Sequence, residues 1–151
     1  MYANISHLTD RLQESAIIEL IDDENTYPAD IASANDILKS RITTALSDAT
    51  AKIDTYLSTR YKVPLSTVPD ALAALCADIA IYNLYARRDH AEIPESRQSQ
   101  LKATIRMLEQ IAKGDLVLGI PSVDTPQSER ADAADVQHGA TQQFTGGFGG
   151  F

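Results

Sequence analysis

The chain has 151 residues, 44% hydrophobic and 23% charged, with a single cysteine and a net charge of −8. That length makes one domain with one modest core, while lone Cys76 excludes an internal disulfide framework and a cysteine-based zinc site. The charge is −6 over residues 1–30, +1 over 31–120 and −3 over 121–151, so no basic stripe is visible to release counterions from phosphates, and sequence-specific DNA binding is not expected.

From the N-terminus, Ser6 is placed to cap a short helix that turns Leu8 and Leu12 inward. The opening MYANISHLTDR has neither the basic flank nor the apolar core of a signal peptide, and no apolar run approaches the roughly 18 residues of a membrane span. A soluble, cytoplasmic protein without a membrane partner is expected. A second short helix over about residues 14–22 offers Ile17, Ile18, Leu20 and Ile21. The run DDENTYPAD then favours a loop over 22–32, because acidic and Asn residues compete for backbone hydrogen bonds and Pro28 restricts its predecessor.

Residues 34–60 carry Leu38, Ile42, Ala45, Ala49, Ile53 and Tyr56 at steps of three and four, with Leu46 and Leu57 widening the stripe. This is the period of a long amphipathic helix. A hinge with Pro64 and Pro69 follows, and Pro69 suits the first position of the next helix. That helix turns Leu72, Leu75, Cys76, Ile79, Tyr82 and Ala86 to one side, while Ala71, Ala73, Ala74, Ala77 and Ala80 make the rest small and apolar. So wide an apolar arc predicts a central helix, or one packed on another subunit. Pro94 opens the last long helix, with Leu101, Ile105, Leu108, Ile111 and Ala112 inward and Gly114 as a left-handed C-terminal cap. Leu116–Pro121 reads as a buried strap or strand-like extension. The sequence therefore predicts an all-α protein, a small bundle of two short and three longer helices over residues 1–120, with an extended C-terminal arm over 121–151.

Several residue sets bear on chemistry. Asp22, Asp23 and Glu24 lack the alternating ligands and glycine of a calcium loop, so they read as a solvated loop. His7, His90 and His138 share no ligand spacing, and Cys76 on an apolar face reads as a buried small hydrophobe. No metal or cofactor is implied, and no nucleophile, base or paired carboxylates can be argued, so no catalytic activity is expected. Arg60, Arg87 and Arg88 fall at helix C-termini, where cations suit the dipole; their sharper reading is contact with the acidic N-terminal segment of a neighbouring subunit. Tyr56, Tyr61, Tyr82 and Tyr85 gather in sequence around the hinge and read as core packing with surface hydroxyls. Phe144, Phe148 and Phe151 on a glycine-rich string suit a partner's pockets, or read as plain terminal disorder.

The series Tyr56-Leu57, Arg60-Tyr61, Val63-Pro64-Leu65, Val68-Pro69, Leu72, Asp78-Ile79-Ala80, Tyr82, Leu84-Tyr85 and Arg87 resembles a known family. So do the opening MYANISHL and the closing Ile111-Ala112-Lys113-Gly114 with Leu116-Val117-Leu118-Gly119. These residues, spread over roughly 1–120, resemble the Mu-like phage and prophage proteins of the head–tail joining region. That family is similar in design to the small α-helical head–tail connectors, or adaptors, of other tailed phages. The resemblance implies a structural virion protein made in the bacterial host cytoplasm and placed in the neck. Copies would form a ring under the portal protein, twelve-fold by inheritance from it. The ring would extend the channel for passing genomic DNA and receive the next neck or tail-completion protein. The resemblance also adds a second reading of Asp22, Asp23 and Glu24, as an acidic rim facing that channel. The arm after Pro121 would dock on the portal. The alternative reading is a small cytoplasmic helical adaptor or antitoxin-like regulator that binds one protein partner through its acidic ends.

Overall fold

Five helices make up the regular structure of a computed structural model that describes residues 1–89 and 92–123. They are α1 (Ile5–Thr9), α2 (Glu14–Ile21), α3 (Asp36–Leu57), α4 (Asp70–Ala86) and α5 (Glu95–Lys113), with no strand among the described residues. The all-α expectation holds, and the boundaries shift by one to three residues.

Each shift has a local cause. Asn4, not Ser6, caps α1: its Oδ1 accepts from the His7 N–H at 3.2 Å while His7 Nδ1 accepts from the Asn4 N–H at 3.2 Å. The two orphan donors are thus satisfied reciprocally, and Ser6, two residues further on and already inside the helix, cannot do it. Asn35 caps α3 through the Leu38 N–H at 2.9 Å, so that helix begins at Asp36 and not at residue 34. Pro69 and Pro94 occupy the cap position, one residue before the helix, because their ψ angles of 144° and 138° are extended even though their φ is already helical.

Helix α4 is the centre of the bundle and packs against all four other helices. Leu72, Cys76, Ala77, Ile79, Ala80, Ile81 and Leu84 are wholly buried on it. The sequence pattern placed Tyr82 and Ala86 on the inner side. They are instead half-buried and exposed, and Ile81 and Leu84 take the interior. With neighbours around most of its circumference the helix has no single inward stripe, so periodicity misplaces its face. Cys76 is buried, and burial pushes its thiol up from the ordinary range. On α3, Leu38, Ile42, Ala49, Ile53 and Leu57 face the core as the spacing requires.

The N-terminal residues close one side of this core. Tyr2 is buried, its N–H donates to Thr50 Oγ1 at 3.2 Å, and its hydroxyl donates to the Asp54 carboxylate while accepting from the Leu65 N–H at 3.1 Å. Burial first, and the Asp54 carboxylate second, push that phenol up to about 12. One side chain thereby joins the chain start, α3 and the hinge, whose Val63–Pro64 peptide is cis.

At the far end of α5, Gly114 takes φ +90° and its N–H bonds to the Gln110 carbonyl at 3.0 Å, as do those of Asp115 and Leu116 at 2.9 and 3.2 Å. The chain then runs as an irregular strap over 115–123. The Leu118 N–H donates to the Tyr61 hydroxyl at 3.2 Å and the Val123 N–H to the Arg60 carbonyl at 2.8 Å. Leu118 and Ile120 pack on the core, but Leu116 and Val117 are exposed, so the strap is half buried and not strand-like. Gly114 is demanded by its backbone angle, and the movable end of the Arg60 side chain adds a softer steric reason. A Cβ there would lie 2.1 Å from Arg60 Nη1, and φ is positive. Gly114→Ala should cost about 1–2 kcal/mol from the left-handed backbone alone, read as a lower urea midpoint. Adding Arg60→Ala should recover only the steric part, and full recovery in the double variant would mean the backbone angle is not a constraint.

Candidate functional site: an arginine-clamped acidic loop

Helix α2 has eight residues and no basic side chain in its last turn. Its final carbonyls therefore face outward with the negative end of the helix dipole and no local cation. Three guanidinium groups from elsewhere meet them. Arg87 Nη2 donates to the Leu20 carbonyl at 2.7 Å, Arg41 Nη1 to that of Ile21 at 2.5 Å, and Arg88 Nη2 to that of Asp22 at 3.5 Å. Arg41 comes from α3, whereas Arg87 and Arg88 follow α4 directly.

The acidic triplet divides its work. Asp22 is buried and folds the loop: its Oδ1 accepts from the Thr26 N–H at 3.0 Å and the Thr26 hydroxyl at 3.1 Å, and its Oδ2 from the Tyr27 N–H at 2.8 Å. These donors, led by the Thr26 N–H, hold its carboxyl below the usual carboxylate range. Asp23 takes a two-pronged bond from Arg87, Nη1 to Oδ2 and Nη2 to Oδ1, both at 2.7 Å. Arg41 at 3.4 Å and Arg88 at 3.5 Å flank it. The Arg87 fork holds the Asp23 carboxyl down at about 2, and Asp23 in turn raises the guanidinium. Glu24 is exposed and pairs with Arg41 at 3.5 Å.

The loop these contacts fix presents an unusual backbone. Asn25 and Tyr27 have φ values of +55° and +48°, a region few side chains adopt and a bulky ring rarely does. The Asp22 carboxylate holds both turns of this stretch in place, and Tyr27 is left 78% exposed. A cleft of about 500 Å³ beside it is lined by Ser15, Ile18, Glu19, Asn25, Tyr27 and Arg88, with Asp22. An outward aromatic held on a strained, over-determined loop is an arrangement suited to contacting another macromolecule.

Of the residues singled out in the sequence, Arg87 and Arg88 do meet the acidic N-terminal segment, and they do so within one chain. They also sit at a helix C-terminus as cations should, but the terminus they neutralise is that of α2, not only that of α4. Arg60 stands apart, at Gly114 and the strap. Phe144, Phe148 and Phe151 lie outside the described residues, as do His90 and His138. His7 is a capping residue. Tyr61 is buried with its hydroxyl engaged, and Tyr56 and Tyr85 pack against the core. Among the described residues no group of three or more His, Cys, Asp or Glu converges to hold a metal ion, and no helix is long and apolar enough to cross a membrane. Sequence reasoning missed Arg41, Tyr2 and Tyr27. Arg41 was discoverable: a helix ending in acids with no cation of its own needs one from a neighbour.

Comparison with known proteins decides the family. The family described as Bacteriophage Mu, Gp36 matches residues 2–137. The chain belongs to it. Among its relatives, the Mu-like prophage FluMu protein gp36 of Haemophilus influenzae is 36% identical over 100 residues, covering 66% of this chain and 68% of that protein. Gene product J of Escherichia phage Mu is 33% identical over 93 residues, covering 62% of this chain and 63% of its own length. The aligned stretch thus spans about two thirds of each relative. This is a Mu-like phage protein, and its family match ends before Phe144.

The clamp carries a pH signature. Because the Asp23 carboxyl is depressed in the folded state, its contribution is present above the ordinary carboxylate range near 4 and fades as pH falls toward about 2. Asp23 is over a third exposed, so solvent screening limits the effect to about 1 kcal/mol or less. Asp23→Asn should flatten the acid limb of the stability profile between roughly pH 4 and pH 2. Arg87→Lys should destabilise nearly as much as Arg87→Ala, because an ammonium cannot reproduce the fork and reach Leu20 together. An unchanged acid limb in Asp23→Asn would remove the pair from the stability account.

Proposed function

We propose that this protein is a head–tail connector subunit, an adaptor that forms a ring beneath the portal, lengthens the DNA channel and receives the next neck or tail-completion protein. The observation that carries the reading is membership of the Mu Gp36 family across residues 2–137, supported by an all-α body of five helices among the described residues. The role assigned is shape, with no catalytic step. The protein would be made in the host cytoplasm and reside in the virion neck, without a membrane partner.

A ring of identical chains joins two different patches of each subunit, and its twelve-fold order would be set by the portal. The arginine clamp bears on the partner surface indirectly: Arg87 and Arg88 hold the loop that displays Tyr27, while Arg60 seats the strap from which the arm departs. Phe144, Phe148 and Phe151 are the proposed anchors of that arm on the portal. Electron microscopy of the purified protein mixed with portals tests this directly. Twelve-fold rings should decorate portals with the wild-type chain, and the triple variant Phe144→Ala, Phe148→Ala, Phe151→Ala should reduce occupancy more than tenfold, since aromatic anchors are worth about 2 kcal/mol each. Bare portals with the wild-type chain would sink the connector reading.

Of the acidic triplet, Glu24 is proposed to face the channel, where like charge keeps passing DNA from adhering; buried Asp22 and arginine-forked Asp23 are engaged inside the subunit and drop out of that rim. Asp22 and Asp23 cannot be neutralised without disturbing the loop and the clamp, so Glu24 is the informative position. Virions carrying Glu24→Gln should eject their genome more slowly with normal neck assembly; ejection at the wild-type rate removes the electrostatic role.

A further inference from the structure

The strap after α5 leaves an apolar groove uncovered. Lys62, Pro64, Leu65 and Thr67 of the hinge, with Ile120 and Pro121 of the strap, bound about 430 Å³ of it. Pro64 and Pro121 are exposed, and Leu65 and Ile120 are half-buried. Among the described residues eight large hydrophobic side chains stand exposed, and three of them (Leu116, Val117 and Val123) belong to this same short strap. Such a concentration next to a groove marks a surface that something covers.

Composition identifies an occupant. The chain has three phenylalanines, at positions 144, 148 and 151, and none in the folded body. The family match ends at residue 137, so this aromatic end is a feature of this chain beyond the matched region. The Val123 N–H bond to the Arg60 carbonyl pins the departing chain beside the groove that Pro121 helps to form. Twenty residues separate Val123 from Phe144, a length of chain that extends to at most about 70 Å and so can return to the groove. That reach holds the aromatic end near its own groove at an effective concentration of order millimolar, well above that of any other chain in dilute solution. Proline rings and Leu65 offer flat C–H surfaces to a phenyl ring, and Lys62 at the rim can lie over its face.

We propose that in the free subunit residues 144–151 fold back onto the strap–hinge groove of their own chain, seating phenylalanine between Pro64, Leu65, Ile120 and Pro121. The arm is then stored on the body until a better partner takes it. That last consequence rests on the connector reading, while the intramolecular contact does not.

The test uses the free, full-length chain without portal, so its result is independent of ring formation. A nitroxide on Asp70→Cys places the probe at the exposed start of α4, three residues past Thr67; the native Cys76 is buried and escapes labelling. The amide signals of residues 144–151 should lose intensity, the loss should persist on dilution, and it should disappear when Phe144, Phe148 and Phe151 are all changed to alanine. Intensity loss that vanishes on dilution would show the arm visiting a neighbouring copy and would overturn the proposal. Undiminished signals throughout would overturn it equally.

Discussion

Three guanidinium groups on the last carbonyls of α2 are the constraint on which the N-terminal third depends. An eight-residue helix is too short to be stable alone in water, and α2 reaches its end with unsatisfied carbonyls and an acidic sequence immediately beyond. Arg41, Arg87 and Arg88 supply hydrogen-bond donors to those carbonyls and countercharge to Asp23 at the same time. Since one arginine comes from α3 and two from the end of α4, α2 can dock only once that pair is in register. The clamp therefore makes the position of the acidic loop a consequence of the central packing, which is why a loop of such composition is ordered at all.

A second closure lies at the other end of α3. Arg41 stands near the start of that helix and Arg60 just past its end, so the two sites are about 30 Å apart along the axis. At the far site the guanidinium of Arg60 crosses Gly114 at the C-terminus of α5, and its carbonyl receives the Val123 N–H. Both ends thus use an arginine against a helix C-terminus that belongs to another element. In each case the contact bridges segments remote in sequence, and in each case an otherwise irregular segment, the loop at one end and the strap at the other, is tied to the core.

The sequence disclosed the parts of this architecture that depend on local order. The stripe of α3, the glycine cap of α5 and the all-α class follow from spacing and from φ preferences that act over a few residues. The buried face of α4 did not follow, because a helix surrounded on most sides has no amphipathic period to read; Ile81 and Leu84 are interior where the pattern favoured Tyr82 and Ala86. The candidate site divided along the same line. Arg87 and Arg88 were legible as cations at a helix end seeking the acidic N-terminal segment, since charge and position are local facts. That the segment is their own chain's, and that Arg41 joins them, depends on how α2 folds back across α3 and α4. Tyr2 was hidden for the same reason, its partners Thr50, Asp54 and Leu65 all lying far along the chain.

This distribution of charge bears on how copies could meet. Because Asp23, Arg87 and Arg88 satisfy one another inside a subunit, a neighbour that recruited any of them would have to break a two-pronged bond and leave helix carbonyls unpaired, a cost that outweighs a surface ion pair. Among the described residues, exposed apolar or aromatic side chains stand at both ends: Tyr27 beside the cleft at the clamped end, and Leu116, Val117 and Val123 along the strap at the other. Those two surfaces differ in shape and stand at separate ends of α3, which is the requirement of a head-to-tail contact between identical chains. In the ring proposed above, the charges would accordingly fix the internal arrangement of each subunit, and contacts between subunits would draw on the exposed apolar ends.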